Sequence, residues 1–377
     1  MLIGEVAGKA GMFTPMSFLT ASVIAGFTAF SYAELSSRYP QSAGEAAYAQ
    51  EAFSLRFVSA AVGWSVVIIG SVSAATIANG FVGYLKIFID IPDWVAIAML
   101  VISLGIVAGW GITASVAAAS MVTVIEILGL LSVIVIAGDS FAQLPDRLWE
   151  FIPPIEAQAW VAVSLGAFLA FFAFVGFEDI VNVAEEVKEP RRNLPIAIIL
   201  ALGISTLLYL LVSLSAVLSL PLDILAGSST PLAAIYEHNS NLSPKPISIV
   251  SIVAVINGAL IQIIMGSRIL YGMGKRAMAP LIFSKLNRFT RTPLIATASI
   301  TAFILTLALW LPILKLAEIS SYITLTVFAF MNLALWRLKR KNPRPEGVKT
   351  YPLAVPIVGF LLCVCFLLIQ TLWGFIF

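Results

Sequence analysis

Ionisable side chains are scarce in this sequence. Only 11% of its residues are charged and histidine occurs once, against roughly 25% charged residues in an ordinary soluble domain. That single histidine, His238, lies in a polar connection between apolar stretches. It can neither build a metal centre or a hydrolytic triad nor carry protons through an apolar segment. Cysteine is nearly as rare. Cys363 and Cys365 stand two apart in an apolar stretch, and side chains at that spacing on a helix do not face each other, so neither a disulfide nor a metal site is implied. A formal charge of +2 gives no electrostatic footing for a nucleic-acid partner. Clustered nucleophiles and ligands are missing, so no cofactor is expected and the chain does not read as an enzyme.

What the chain has instead is apolar length. It is 60% hydrophobic, with a mean hydropathy of +1.00, more than a soluble core requires. Bilayer hydrocarbon is about 30 Å thick and is crossed by roughly 20 apolar residues in a helix. Such stretches recur from end to end. We read about ten full spans, over residues 15–34, 58–85, 94–110, 114–137, 160–183, 194–220, 247–273, 294–311, 319–338 and 353–375. Polar or Pro/Gly-bearing joints separate them, at 90–93, 139–154, 221–246 and 339–352. The period-2 segments of about ten residues that mark a β-barrel are absent. The fold class is therefore an all-α integral membrane protein, whose helices satisfy their own backbone polar groups. No separate soluble domain fits, and residues 1–377 read as a single transmembrane domain.

Lysine and arginine set the orientation, because cytoplasmic joints carry an excess of both. Of the 22 in the chain, sixteen lie on the joints around Arg38, Arg56, Lys188, Lys275 and Lys339, Arg268 lies within a span, and the alternate joints hold only Lys9, Lys86, Arg147, Lys245 and Lys315. The first set is read as cytoplasmic, which puts residues 1–13 outside. Those residues lack the apolar core of a signal peptide. A complete helix ahead of Met1, running outward from the cytoplasm, would resolve the conflict. We therefore expect the chain to begin within a first helix of which residues 1–11 are the outer remnant; the alternative is a natural first span at 15–34.

Two acids stand where a bilayer makes them costly. The run Phe171, Phe172, Ala173, Phe174, Val175, Gly176, Phe177, Glu178, Asp179 lies in the middle of an apolar span. A glycine among bulky neighbours is where a membrane helix can break, and the freed N–H and C=O groups can then bind a carboxylate and an ammonium in place of water. Such a break suits a zwitterion; a packing glycine with its acids turned to a watery interior is the plainer alternative. Directly after it, Ala184-Glu185-Glu186-Val187-Lys188-Glu189-Pro190-Arg191-Arg192-Asn193-Leu194-Pro195 forms a charged joint that stops one helix and starts the next at proline.

Together these residues resemble the amino acid-polyamine-organocation (APC) transporter family, whose sixth helix reads like F-x-G-F-E and runs into A-E-E-V-K-x-P-x-R-N-x-P. The resemblance extends to Phe30-Ser31-Tyr32-Ala33-Glu34-Leu35-Ser36-Ser37-Arg38-Tyr39-Pro40 with Ala43, Gly44 and Glu45, similar to the family's second helix and following loop. It also takes in Gly266-Ser267-Arg268-Ile269-Leu270-Tyr271-Gly272-Met273, similar to the eighth helix, and Thr292, Pro293 and Leu294. It implies a leucine-transporter-type bundle of 5+5 inverted repeats, with about ten full spans plus a remnant of the first helix. The first repeat would occupy 1–138 and lack most of its first helix, the second 159–338, and an extra C-terminal span 352–376, where many relatives have two.

The resemblance further implies a substrate held at the bilayer midplane between broken first and sixth helices. On that pattern Phe172 covers the substrate side chain, the backbone of Ala173, Phe174, Val175 and Gly176 meets its amino group, and Ile69, Gly70 and Ser71 of the third helix face them. Small residues also let helices pack closely, which is the plainer reading of those three. Glu126 is the only acid in its span, at a position that looks like a lysine in some family members, where related folds bind sodium. An acid inside the bundle can take up and release a proton, so Glu126 is the leading coupling candidate, with Glu178 and Asp179 as the other carboxylates of any relay. Ser267 and Asn257 could supply opposing oxygen ligands or simply hold helices together. Arg268, near the cytoplasmic end of its span, is expected to pair with an acid such as Glu34 or Glu186.

The expected function is secondary transport of an amino acid or related amine across the cell membrane by alternating access. Protons are the first choice of coupling ion, with sodium or exchange as alternatives. The rival expectation is a non-transporting membrane sensor or an inactive remnant of such a permease.

Overall fold

The computed structural model describes residues 2–41, 44–111, 116–240 and 242–374, and all regular structure among them is helical. Ala43, from the loop motif, and the outermost residues of the spans read over 114–137 and 353–375 lie outside the described residues.

α1 (Leu2–Ala10) ends where Gly11 takes a left-handed conformation (φ 56°), and a 3₁₀ turn hands the chain to α2 (Thr14–Arg38). Pro15 stands in the first turn of α2, where its missing N–H removes no helical bond. A short helix, α3 (Gly44–Phe53), precedes α4 (Arg56–Leu85), α5 (Asp93–Trp110) and α6 (Val116–Ile136). Two single turns, α7 (Gly138–Phe141) and α8 (Leu144–Arg147), lead to α9 (Ala157–Phe171), whose span continues in 3₁₀ form to Glu186. Next come α10 (Pro190–Ser219), the short α11 (Leu222–Gly227) and α12 (Pro231–Asn239), then α13 (Lys245–Lys275), α14 (Leu294–Trp310), α15 (Ile313–Lys341) and α16 (Ala354–Gly374).

Among the described residues, eight helical stretches are long and apolar enough to cross a membrane, and α6 and α14 are shorter apolar helices. This agrees with the spans expected from hydropathy. Two joints hold more structure than their polarity suggested. The joint at 139–154 contains α8, and that at 221–246 contains α11 and α12 with His238 on the latter. Each of these helices has a proline at its start, which presets φ for the first turn, and each is too short to show a helical period.

α4 and α15 are the most enclosed spans, while α10, α13 and α16 leave most of their surface to the surroundings. α10 lies along α2, α13 along α4, and α16 against α15. The buried apolar side chains fall into two clusters. One gathers α1, α2, α9, α10 and α15 around the interruption after Phe171; the other gathers α4, α5, α13 and α14.

A buried ionic node ties the two ends of the chain together. The fully buried carboxylate of Glu34 accepts from Lys339 Nζ (2.7 Å), Arg38 Nη2 (2.6 Å) and the backbone N–H of Tyr351 (2.8 Å). Arg268 takes the other expected acid, pairing with Glu186 at 3.1 Å.

Candidate functional site

The span over Ala157–Glu186 is thirty residues long but is not one helix. α9 supplies its first fifteen residues. The chain then tightens into a 3₁₀ turn over Phe172–Phe174, extends at Val175 (φ −65°, ψ 129°), and turns at Gly176 with φ 125°. That φ is open to glycine and strained for any residue with a Cβ, so the break falls halfway along the span because glycine stands there. Beyond it the chain resumes as 3₁₀ helix from Phe177 to Glu186.

Local bonds hold the break open. The Gly176 N–H donates to Glu178 Oε2 at 2.8 Å, so this carboxylate caps the segment that follows. Val175 N–H donates to Phe172 O (3.1 Å) and Asp179 N–H to Gly176 O (3.1 Å). On α10, the hydroxyl of Tyr209 donates to Ala173 O at 2.8 Å. Phe171 and Phe177, one on each side of the break, both rest on Phe328 of α15, with ring centroids 5.7 and 5.4 Å apart. The aromatic flanks are thereby anchored while the backbone between them departs from the helix.

A cavity of about 250 Å³ opens beside the break, lined by residues 173–177 and Ile180 on one side and by Ala201, Leu202, Ser205 and Tyr209 of α10 on the other. Ala173 and Tyr209 also wall a smaller space, about 140 Å³, that reaches Leu2 and Ile3 of α1. Phe172 is half-buried at the start of the turn and is not among the lining residues of either space.

The other expected site residues are distributed as follows. Ile69, Gly70 and Ser71 are buried in α4, but they do not line the cavity beside the break. Gly70 instead leaves room for Gln262 of α13, whose Oε1 would lie 2.8 Å from a Cβ at that position, and Ser71 Oγ donates within its own helix to Val67 O (2.8 Å). Gln262 Nε2 donates to Asp179 Oδ2 at 2.9 Å. Glu126 and Asn257 are brought together across α6 and α13, with Asn257 Nδ2 3.4 Å from Glu126 Oε1, a long and weak contact. Ser267 is apart from both: ten residues along α13 from Asn257, roughly 15 Å by the helical rise, its hydroxyl donates to Ile264 O (2.8 Å).

Two residues at the break escaped the reading of the sequence, Tyr209 and Gln262. Each is a hydrogen-bonding side chain inside an apolar span, where a buried hydroxyl or amide needs a partner. That is the signal by which they could have been found.

The amino acid permease family model matches residues 1–376. The chain is 29% identical over 370 residues to cationic amino acid transporter 2, vacuolar, of Arabidopsis thaliana, covering 91% of this chain and 57% of that protein. It is 25% identical over 397 residues to the branched-chain amino acid permease BcaP of Bacillus subtilis (strain 168), covering 99% of this chain and 83% of the relative. The methylthioribose transporter of the same bacterium is 24% identical, with 97% and 83% covered. The chain thus spans less than two thirds of the length of the plant relative.

Proposed function

The chain belongs to the amino acid permease family, and on that footing we propose that it carries an amino acid across the cell membrane by alternating access, holding it at the break over residues 172–176. The observation that supports this reading is Gly176, whose left-handed backbone interrupts a membrane span beside a cavity. Peptide groups released from a membrane helix are tolerated where they line a cavity, and there they can meet the charged ends of a zwitterion. The 5+5 inverted-repeat arrangement, with residues 1–138 and 159–338 as its halves, is the frame in which such a site would open alternately to each side.

The cavity wall holds two hydroxyls, those of Ser205 and Tyr209, and no formally charged side chain. Its volume of about 250 Å³ falls below the roughly 300–1,000 Å³ of sites for drug-sized ligands. A free amino acid with a modest apolar side chain fits these properties, in keeping with the branched-chain permease among the relatives. Coupling is assigned to protons and to the acids of the bundle, Glu126, Glu178 and Asp179, none of which takes part in an ion pair among the described residues. Buried acids of this kind mark proton paths in transporters.

Uptake of labelled leucine, valine and lysine into proteoliposomes, with and without an imposed pH gradient, tests the proposal. Saturable uptake of leucine and valine, raised by the gradient and indifferent to sodium, is expected. Uptake of none of the three, or uptake driven by sodium alone, would refute it. If Glu126→Gln transports as well as the parent and keeps its response to the gradient, Glu126 has no part in coupling.

A further inference from the structure

On the side of the break that carries the cation-rich joints, polar side chains gather with no cation paired to them among the described residues. α3 packs so closely on the 3₁₀ segment after the break that a Cβ on Gly44 would run into Val181. The next residue, Glu45, is only 1% exposed, although α3 is not one of the membrane-crossing stretches. Around it stand Tyr32 of α2, Tyr48 of α3 and the Asp179 and Asn182 side chains of the 3₁₀ segment, with Glu178 a further neighbour of Tyr32.

Tyr32 and Asn182 approach Glu45, yet Glu45 Oε1, Tyr32 Oη, Tyr48 Oη and Asn182 Nδ2 are buried and complete no hydrogen bond among the described residues. Native interiors leave only a few such atoms unpaired per 100 residues, and here four stand together. Cations on the surrounding helices are engaged elsewhere. Arg337 of α15 lies over Phe53, at the far end of α3 (5.4 Å). Arg56 of α4 donates to the Arg276 and Ala277 carbonyls. Arg268 of α13 is paired with Glu186, and Glu34 holds Arg38 and Lys339. Glu51, on the same helix as Glu45, faces outward beside Tyr39.

A buried carboxylate without a cation needs either a bound ion or a proton. Among the described residues no group of side chains able to hold a metal ion is found. We propose that Glu45 is a proton-binding site of the closed state: it takes a proton from cytoplasmic water as α3 closes on the segment below the break and returns it when α3 moves away. Burial, reinforced by nearby Asp179, pushes its carboxyl up to about 8 from the ordinary 4.5. The consequence that each closing of the transporter takes up a proton rests on the transport reading; the protonation of Glu45 does not.

The test is an infrared pH titration of the full chain in lipid bilayers, alongside hydrogen exchange of the peptide 44–53. Wild-type protein is expected to show a protonated-carboxyl band that titrates near pH 8, Asp179→Asn to keep the band with its titration moved to lower pH, and Glu45→Gln to lack it. Exchange over 44–53, corrected for its intrinsic pH dependence, should rise by up to about tenfold per pH unit toward that point and then level off in wild type. It should stay flat in Glu45→Gln. An unchanged band in Glu45→Gln, equal exchange profiles in the two proteins, or an exchange profile set by sodium rather than by pH overturns the proposal. Should Glu45→Gln fail to fold, wild-type protein decides: no carboxyl titrating above about pH 7 overturns it. Neither readout needs transport, so loss of uptake with the band intact counts against the transport reading alone.

Discussion

Gln262 and Asp179 are joined by a 2.9 Å hydrogen bond that links α13 to the segment just past the helix break. Gly70 of α4 makes room for that amide, since a Cβ there would lie 2.8 Å from Gln262 Oε1. Because the atom in the way is the end of a flexible side chain, Gly70→Ala should displace Gln262 rather than unfold the protein. Losing a hydrogen bond to a charged group costs about 1.5–3 kcal/mol. Gly70→Ala and Gln262→Leu are therefore expected to lower the melting temperature by similar amounts. An unchanged melting temperature in either variant would show that the contact is incidental.

Gly176 and Gly203 make a controlled pair. A Cβ at either would meet nothing within 4 Å, but Gly176 has φ 125° whereas Gly203 is inside α10. Gly176→Ala should therefore destabilise by about 1–3 kcal/mol through backbone strain alone. Gly203→Ala should be neutral or stabilise by about 0.5–1 kcal/mol. Thermal unfolding in detergent or nanodiscs separates the two outcomes, and equal shifts would contradict a glycine-dependent break.

Glu45 makes stability depend on pH in a definite sense. Its folded-state value of about 8 lies above the ordinary 4.5. Its stabilising contribution is thus fully present below 4.5 and is lost as pH rises through about 8, at up to about 1.4 kcal/mol per pH unit. The melting temperature of wild type should fall relative to Glu45→Gln across that window and run parallel to it above. A constant difference between the two proteins would mean that Glu45 does not titrate there.

Among the ion pairs of the described residues, those of Glu34 are the most buried. Glu34 is fully buried and Lys339 nearly so, and breaking a buried pair by removing one partner costs about 3–5 kcal/mol. Glu34→Gln leaves both Arg38 and Lys339 short of a counter-charge, so it should lower the melting temperature more than Lys339→Ala, after which Arg38 still satisfies the carboxylate. The reverse order would contradict this division of roles.

Much of the architecture could be read in one dimension because the bilayer dictates span length, and proline and glycine punctuate the joints. The break was legible for the same reason: Gly176 and the two acids after it stand out in an otherwise apolar span. What could not be read is which helix faces meet. The spans are apolar almost all round, so periodicity does not say that Gln262 turns to Asp179, that Tyr209 reaches Ala173, or that Glu34 finds Lys339, 305 residues away. Nor does it say that Asn257 stands beside Glu126 while Ser267 bonds its own helix. Glu45 was visible only as part of a loop motif, because its burial depends on α3 folding back against a segment more than a hundred residues later.

Equilibrium binding of radiolabelled leucine to purified protein tests the central claim, that substrate sits at the break over residues 172–176. Wild type and Gly203→Ala should bind alike, and Gly176→Ala should bind at least about tenfold more weakly, a loss of about 1.4 kcal/mol. Binding by Gly176→Ala equal to that of wild type would contradict the account.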